Sequence, residues 1–281
     1  MKQRLITAFF GFAVLIPVLI FSDTLALPVA VAFFSALGVY EMLGCVGVRK
    51  HLEITIPSML IAAAGPVAVR YLTVLTDRLS YNLAVISAVS FIYMFYLMCV
   101  TVVSKGKKNI LDTALVFMTT VYITIGFSSI VMIRDLPNGQ FLIYLVFIGA
   151  WVTDGAAYFV GRAMGKHKLI PDVSPKKTVE GAVGGVIFCG LSFVLYGLIV
   201  GQFSSSTTHY IEIIIAGLII AVISEFGDLI ASLIKRHYGI KDYGTIFPGH
   251  GGVMDRFDSI IAIAPFLLMI CAYPDVYALF V

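Results

Sequence analysis

Nine long apolar runs decide what this chain can fold into. They lie at about 5–22, 24–46, 54–75, 80–103, 110–133, 140–161, 180–201, 209–231 and 258–279, and a helix that crosses a bilayer needs about 20 consecutive, mostly apolar residues. Of the 281 residues, 60% are hydrophobic and 12% charged, where soluble domains carry about 25% charged residues. What remains between the runs is too short for a separate soluble domain. The expected fold is all-α and polytopic, with about nine transmembrane helices; a cytosolic enzyme fold, a secreted protein and a nucleic-acid binder are excluded. The run after Lys2 and Arg4 reaches Asp23 without a small-x-small cleavage pattern, so the first helix is expected to be retained. Cys45, Cys99, Cys189 and Cys271 sit apart in apolar runs, without CxxC or Cys/His pairing, and read as packing residues.

The net charge of +3 says little, whereas the placement of the charges says much. With nine spans and Lys2 inside, 16 of the 19 Lys and Arg fall on the cytoplasmic side; only Arg70, Arg78 and Arg134 do not. The N terminus is thus expected in the cytoplasm and Val281 on the far side. Two basic cytoplasmic loops, 162–179 and 232–257, are rich in Gly, Pro, His and Ser, whereas 201–209 has no Lys or Arg. Residues 1–135 read as a scaffold with oligomer contacts, and 136–281 as the region that carries chemistry. No internal repeat is visible, which weakens a transporter reading.

An ionisable side chain inside a membrane helix costs several kcal/mol, so each one calls for a function. Asp154, Glu225, Asp228 and Asp258 are such residues. Asp154 precedes Arg162 by eight residues, about 12 Å along a helix. Glu225 and Asp228 are three apart, as are Asp255 and Asp258, so each pair projects from one helical face. Like charges that close in low dielectric need a cation, a Lys or an Arg between them. Oxygen-only ligands favour Mg²⁺ or Mn²⁺ over zinc. The alternative is ion pairing with Lys235, Arg236 or Arg256, and, for Asp154, a packing hydrogen bond near Tyr158.

The basic loops complement the acids. In PDVSPKKTVEG, Ser174, Lys176, Lys177 and Thr178 precede a helix whose N terminus near Glu180 and Gly181 offers N–H groups to an anion such as phosphate. In FPGHGGVMDRFDS, Gly249, Gly251 and Gly252 allow close backbone approach, His250 can donate to a phosphate oxygen, and a helix follows near Asp255.

Residues 232–258, SLIKRHYGIKDYGTIFPGHGGVMDRFD, closely resemble the signature of the phosphatidate cytidylyltransferases, the CDP-diacylglycerol synthases. SPKKTVEG at 174–181, DGAAYFVGRAMGK from Asp154, and GDL at 227–229 resemble that family in the same order. Val179 stands where an aromatic is common, and Ala231 where an acid often precedes the Ser.

The resemblance implies transfer of CMP from CTP to phosphatidate in the inner leaflet, releasing pyrophosphate. It implies Mg²⁺ on Asp228, Asp255 and Asp258, with K⁺ as an optional second ion. Lys235, Arg236, Lys241 and Arg256 would grip phosphates; Ser174, Lys176, Lys177, Thr178 and Glu180 would close the other wall, with Asp154, Asp242, His250, Gly251 and Gly252 also lining the substrate site. It further implies a homodimer, and a site open to the cytoplasm with the lipid tails entering between helices six to nine. The compact chain suggests a bacterial plasma membrane. Two readings compete: a CTP-dependent lipid-alcohol kinase, and a cation-coupled transporter, whose ion-carrying acids belong near the midplane. A CDP-alcohol phosphotransferase would need DGxxAR, which DGAAYF only begins.

Overall fold

The computed structural model describes residues 2–75, 79–105, 108–204, 208–249, 251–272 and 279–280. Among them are nine α-helices: α1 (Lys2–Ile20), α2 (Ala26–Val46), α3 (Leu52–Leu75), α4 (Leu79–Val103), α5 (Ile110–Asp135), α6 (Gly139–Met164), α7 (Val179–Phe203), α8 (Tyr210–His237) and α9 (Met254–Cys271). Each coincides with one of the apolar runs. Seven, α2 to α8, are long and apolar enough to cross a membrane. The chain is an all-α polytopic membrane protein.

Two local departures matter. The last helix begins at Met254, directly after the glycine loop, and runs to Cys271; residues 273–278 of the expected run lie outside the described residues. The loop 162–179 also holds an antiparallel hairpin, β1 (Lys168–Ile170) and β2 (Ser174–Thr178), with Lys168 opposite Thr178 and Ile170 opposite Ser174. Strands this short, at or below the lower end of the about four to eight residues over which alternation is read, give no clear period-2 hydrophobic signal.

The chain divides into two units. The first comprises 1–131 and 240–255, the second 132–239 and 256–281. The sequence-based division ran at 135/136; here part of the second basic loop clusters with the N-terminal helices.

In the first unit, α2 packs along α3. A buried polar chain joins three helices: Ser58 Oγ and Tyr93 Oη share a hydrogen bond of 2.7 Å, and Tyr93 Oη donates to Thr120 Oγ1 at 3.2 Å. Polar side chains of an apolar bundle satisfy one another in this way where no water reaches them. A cavity of this unit is lined by Val48, His51, Lys108, Asp112 and Thr113 among others, and includes none of the acids singled out above.

In the second unit, α6, α7 and α8 meet through small residues. A Cβ on Gly217 would stand 2.9 Å from both the Gly190 Cα and Phe193 Cγ, and one on Gly149 2.7 Å from Ile220. Such contacts let helix backbones approach where apolar lipid leaves little hydrophobic drive. The chain end is tied in as well: Asn138 Nδ2 donates to the Phe280 carbonyl at 3.1 Å, and the His209 N–H to that of Leu279 at 3.2 Å.

Candidate active site

The site in the second unit begins with the pleat of β2. Neighbouring side chains on a strand point to opposite faces, so the adjacent lysines part company. Lys176 is exposed, whereas Lys177 is half-buried and reaches the carboxylates of α8. The strand ends at Thr178, which is buried and caps α7 by accepting from the Gly181 N–H at 3.2 Å. Glycines make room for that cap: a Cβ on Gly161 would lie 2.7 Å from Thr178 Oγ1, and one on Gly181 2.6 Å from the Ala157 carbonyl.

Glu180 ties the hairpin back. Its carboxylate accepts from the Lys166 N–H at 3.0 Å and the His167 N–H at 3.2 Å, and pairs with His167 Nδ1 at 2.6 Å. The expectation of free N–H groups at the start of α7 therefore needs correction: Gly181 is already engaged by Thr178, because a buried helix terminus recruits its own cap.

Lys177 Nζ lies between two acids one turn apart. It pairs with Glu225 Oε2 and stands 2.9 Å from Asp228 Oδ2. A lysine of the hairpin thus stands between these like charges, a partner that the sequence-based alternative of Lys235, Arg236 or Arg256 did not include. Burial disfavours the charged amine, but the Asp228 and Glu225 carboxylates outweigh it and hold the Lys177 pKa above the ordinary lysine value. Glu225 Oε1 remains buried without a hydrogen-bond partner.

Around this triad the second unit collects further charge. Asp228 Oδ1 accepts from Ser232 Oγ at 3.4 Å. Asp154 of α6 lies in the field of Asp228, Lys177, Glu225 and Arg256; Asp258 of α9 lies in that of Asp228, Asp154 and Lys235. Tyr158 Oη accepts from Arg162 at 3.4 Å. Four carboxyl groups thus share this low-dielectric setting with Lys177, Lys235 and Arg256.

Gly227 makes the approach of α8 to α9 close enough. A Cβ there would lie 2.7 Å from Ala262 Cβ and 3.1 Å from the Asp258 carbonyl, and Ser259 Oγ donates to the Ser224 carbonyl at 3.3 Å. Overpacking such a contact costs about 1–3 kcal/mol. Gly227→Ala is accordingly expected to lower the thermal midpoint in detergent, although alanine is the better helix former. An unchanged midpoint would mean that α8 and α9 have slack at this point.

Asp255 behaves differently from Asp228 and Asp258. It belongs to the first unit, is buried, and its Oδ2 accepts from the Tyr243 N–H at 2.8 Å and the Gly252 N–H at 2.9 Å. Among the described residues no group of three or more His, Cys, Asp or Glu is arranged to hold a metal ion. The expected Asp228, Asp255 and Asp258 trio is therefore not a ready-made cage, since Asp255 serves the backbone of its own loop. Mg²⁺ does not require one: it binds through one or two carboxylates plus substrate phosphates and water. The oxygen-only donors Asp228 and Asp258, in a cluster rich in carboxyl groups, fit that chemistry.

The remaining expected residues are distributed as follows. Arg236 Nε donates to the Val173 carbonyl at 3.4 Å, linking the end of α8 to the hairpin. Ser174 is half-buried in register with Ile170. Lys241 and Asp242 are exposed in the first unit. Gly251 has φ of +86°, as the glycine loop requires, and Gly252 is buried. His250 lies outside the described residues. Sequence reading missed Glu41 altogether, although its carboxylate inside an apolar helix was the same signal that picked out the other acids. It is 3% exposed and accepts from the Val253 and Met254 N–H groups.

This combination, an acidic cluster within a helical membrane bundle flanked by lysines and arginines, suits an enzyme that handles phosphates at a bilayer. A profile of the cytidylyltransferase family matches residues 2–274. The chain belongs to that family. It is 34% identical over 276 residues to a phosphatidate cytidylyltransferase of Staphylococcus haemolyticus, with 95% of this chain and 97% of the relative aligned. The protein of that name from Staphylococcus aureus strain COL is 34% identical over 268 residues, with the same shares covered. One from Staphylococcus saprophyticus is 42% identical over 180 residues, or 64% of this chain and 65% of the relative.

Proposed function

We propose that this chain is a phosphatidate cytidylyltransferase. A phosphate oxygen of phosphatidate attacks the α-phosphorus of CTP; the new P–O bond forms as the α–β phosphoanhydride breaks and pyrophosphate leaves. The single observation that carries the reading is the likeness to relatives of that name across 95% of the chain. The charged cluster of α6, β2, α8 and α9 supplies a site with matching chemistry.

Two polyanions must be brought together, so neutralising their repulsion is the main task. Lys235 and Arg256 take phosphate oxygens, while Lys177 holds Glu225 and Asp228 in place. Asp228 and Asp258 would hold Mg²⁺, which when bound would supply positive charge to offset that of the phosphates. No general base is required, because the phosphate nucleophile is already ionised near neutral pH. The acyl chains stay in the bilayer. The charge bias of the loops supports a site open to the cytoplasm and a substrate drawn from the inner leaflet of a bacterial plasma membrane. A homodimer and K⁺ as a second ion belong to the same reading.

The test uses purified protein, CTP labelled at the α-phosphorus, phosphatidate and Mg²⁺. Label moving into the lipid phase is the expected result. Label recovered as free CDP when a lipid alcohol replaces phosphatidate, with none in the lipid, would favour the CTP-dependent kinase instead.

A further inference from the structure

The glycine loop before α9 is held by a residue 212 positions away in sequence. Glu41 sits on α2, buried within an otherwise apolar helix. Its Oε1 accepts the Val253 N–H at 3.0 Å and its Oε2 the Met254 N–H at 2.9 Å. These are the leading donors of α9, which starts at Met254, and an α-helix leaves its first four N–H groups without partners of its own. A carboxylate there also complements the helix dipole. Glu41 thus caps a helix from which it is remote in sequence.

The surrounding loop is shaped to the carboxylate. A Cβ on Gly244 or on Gly252 would overlap the Glu41 side chain. Phe247 and Gly251 pair across the turn, the Phe247 N–H donating to the Gly251 carbonyl at 2.9 Å. Gly249 and Gly251 take φ of +78° and +86°. Asp255 secures the same loop from its other side through Tyr243 and Gly252. Two carboxylates therefore grip one short segment, and the two glycines that touch Glu41 admit no larger side chain without movement.

We infer that Glu41 is a positioning residue for this reaction: it fixes the loop from Tyr243 to Met254 and the start of the helix that carries Arg256 and Asp258. The inference rests on the cytidylyltransferase reading for its kinetic consequence, but not for its structural one. A glutamine keeps size and one acceptor oxygen while presenting an NH₂ to a backbone N–H, so donor faces donor. An aspartate keeps both acceptors on a shorter stem.

The experiment compares wild type, Glu41→Gln and Glu41→Asp in detergent, by hydrogen exchange of the 243–256 segment and by label transfer from CTP to phosphatidate. The expected result is exchange in Glu41→Gln faster by about tenfold or more, the loss of a charge-assisted hydrogen bond. With it, kcat/KM per folded molecule should fall by a similar factor, beyond any loss of folded protein, and Glu41→Asp should recover part of both. Wild-type exchange in Glu41→Gln overturns the inference. So does lost activity that merely follows lost folded protein, with kcat and KM of the remaining folded fraction unchanged. If wild type yields no labelled lipid, the reaction assignment fails, and exchange alone still decides whether Glu41 holds the loop.

Discussion

Lys177→Met is expected to cost both stability and activity. The amine is half-buried between Glu225 and Asp228, and Asp154 lies within the same field. Removing it leaves Glu225 and Asp228 one turn apart with the cation between them gone. Breaking one partner out of a buried ion pair typically costs about 3–5 kcal/mol, and label transfer into lipid should fall by more than about 100-fold, the scale of one lost charge at a reacting centre. The double variant Lys177→Met/Glu225→Gln should recover much of the stability but little of the activity, because one acid no longer needs the cation while Asp228 remains unpaired. Lys176→Ala, on the other strand face, should shift stability by less than about 0.5 kcal/mol.

The sign of the pH dependence follows. The Lys177 pKa is raised in the folded state. Its contribution is therefore complete below the unfolded value of about 10.4 and is lost as pH rises through the higher folded value. Thermal midpoints of wild type, but not of the methionine variant, should show that alkaline loss. Matching profiles would mean that the amine does not couple to folding.

How much of this could be read from residues alone depended on the length of the signal. Each helix announces itself over about 20 apolar residues, so the order and placement of all nine were legible. The hairpin was not, because two strands of three and five residues, KLI and SPKKT, are too short to show an alternating hydrophobic pattern. The adjacent Lys176 and Lys177 looked equivalent as a charged pair; only the strand pleat sends one to the acids and leaves the other exposed. Asp255 and Asp258, three apart, looked like a matched pair of ligands. The three-residue rule says nothing about the unpaired backbone donors beside a first-turn residue, and those donors engage Asp255. Glu41 was legible by the rule applied to Asp154, yet its partners lie more than 200 residues away, and no local motif connects them.

Asp258→Asn is expected to separate what Lys177→Met combines. The Asp258 Oδ1 accepts from the Ser259 N–H at 2.9 Å, and an asparagine carbonyl oxygen can keep that bond. The substitution also removes one negative charge from the neighbourhood of Asp228 and Asp154. Folding should therefore be unharmed or improved, with the thermal midpoint equal to or above that of wild type. Activity should move the other way. If Asp258 and Asp228 hold Mg²⁺ together with the substrate phosphates, transfer should fall by about 100-fold or more, and the Mg²⁺ concentration giving half-maximal rate should rise. Asp228→Asn provides the contrast: it also withdraws a partner from Lys177, so it should lose stability along with activity. Full activity and an unchanged Mg²⁺ requirement in Asp258→Asn would remove it from the metal site. A gain in stability bought by a loss of activity would instead mean that the repulsion among these acids is retained for catalysis, in an arrangement that folding alone would not select.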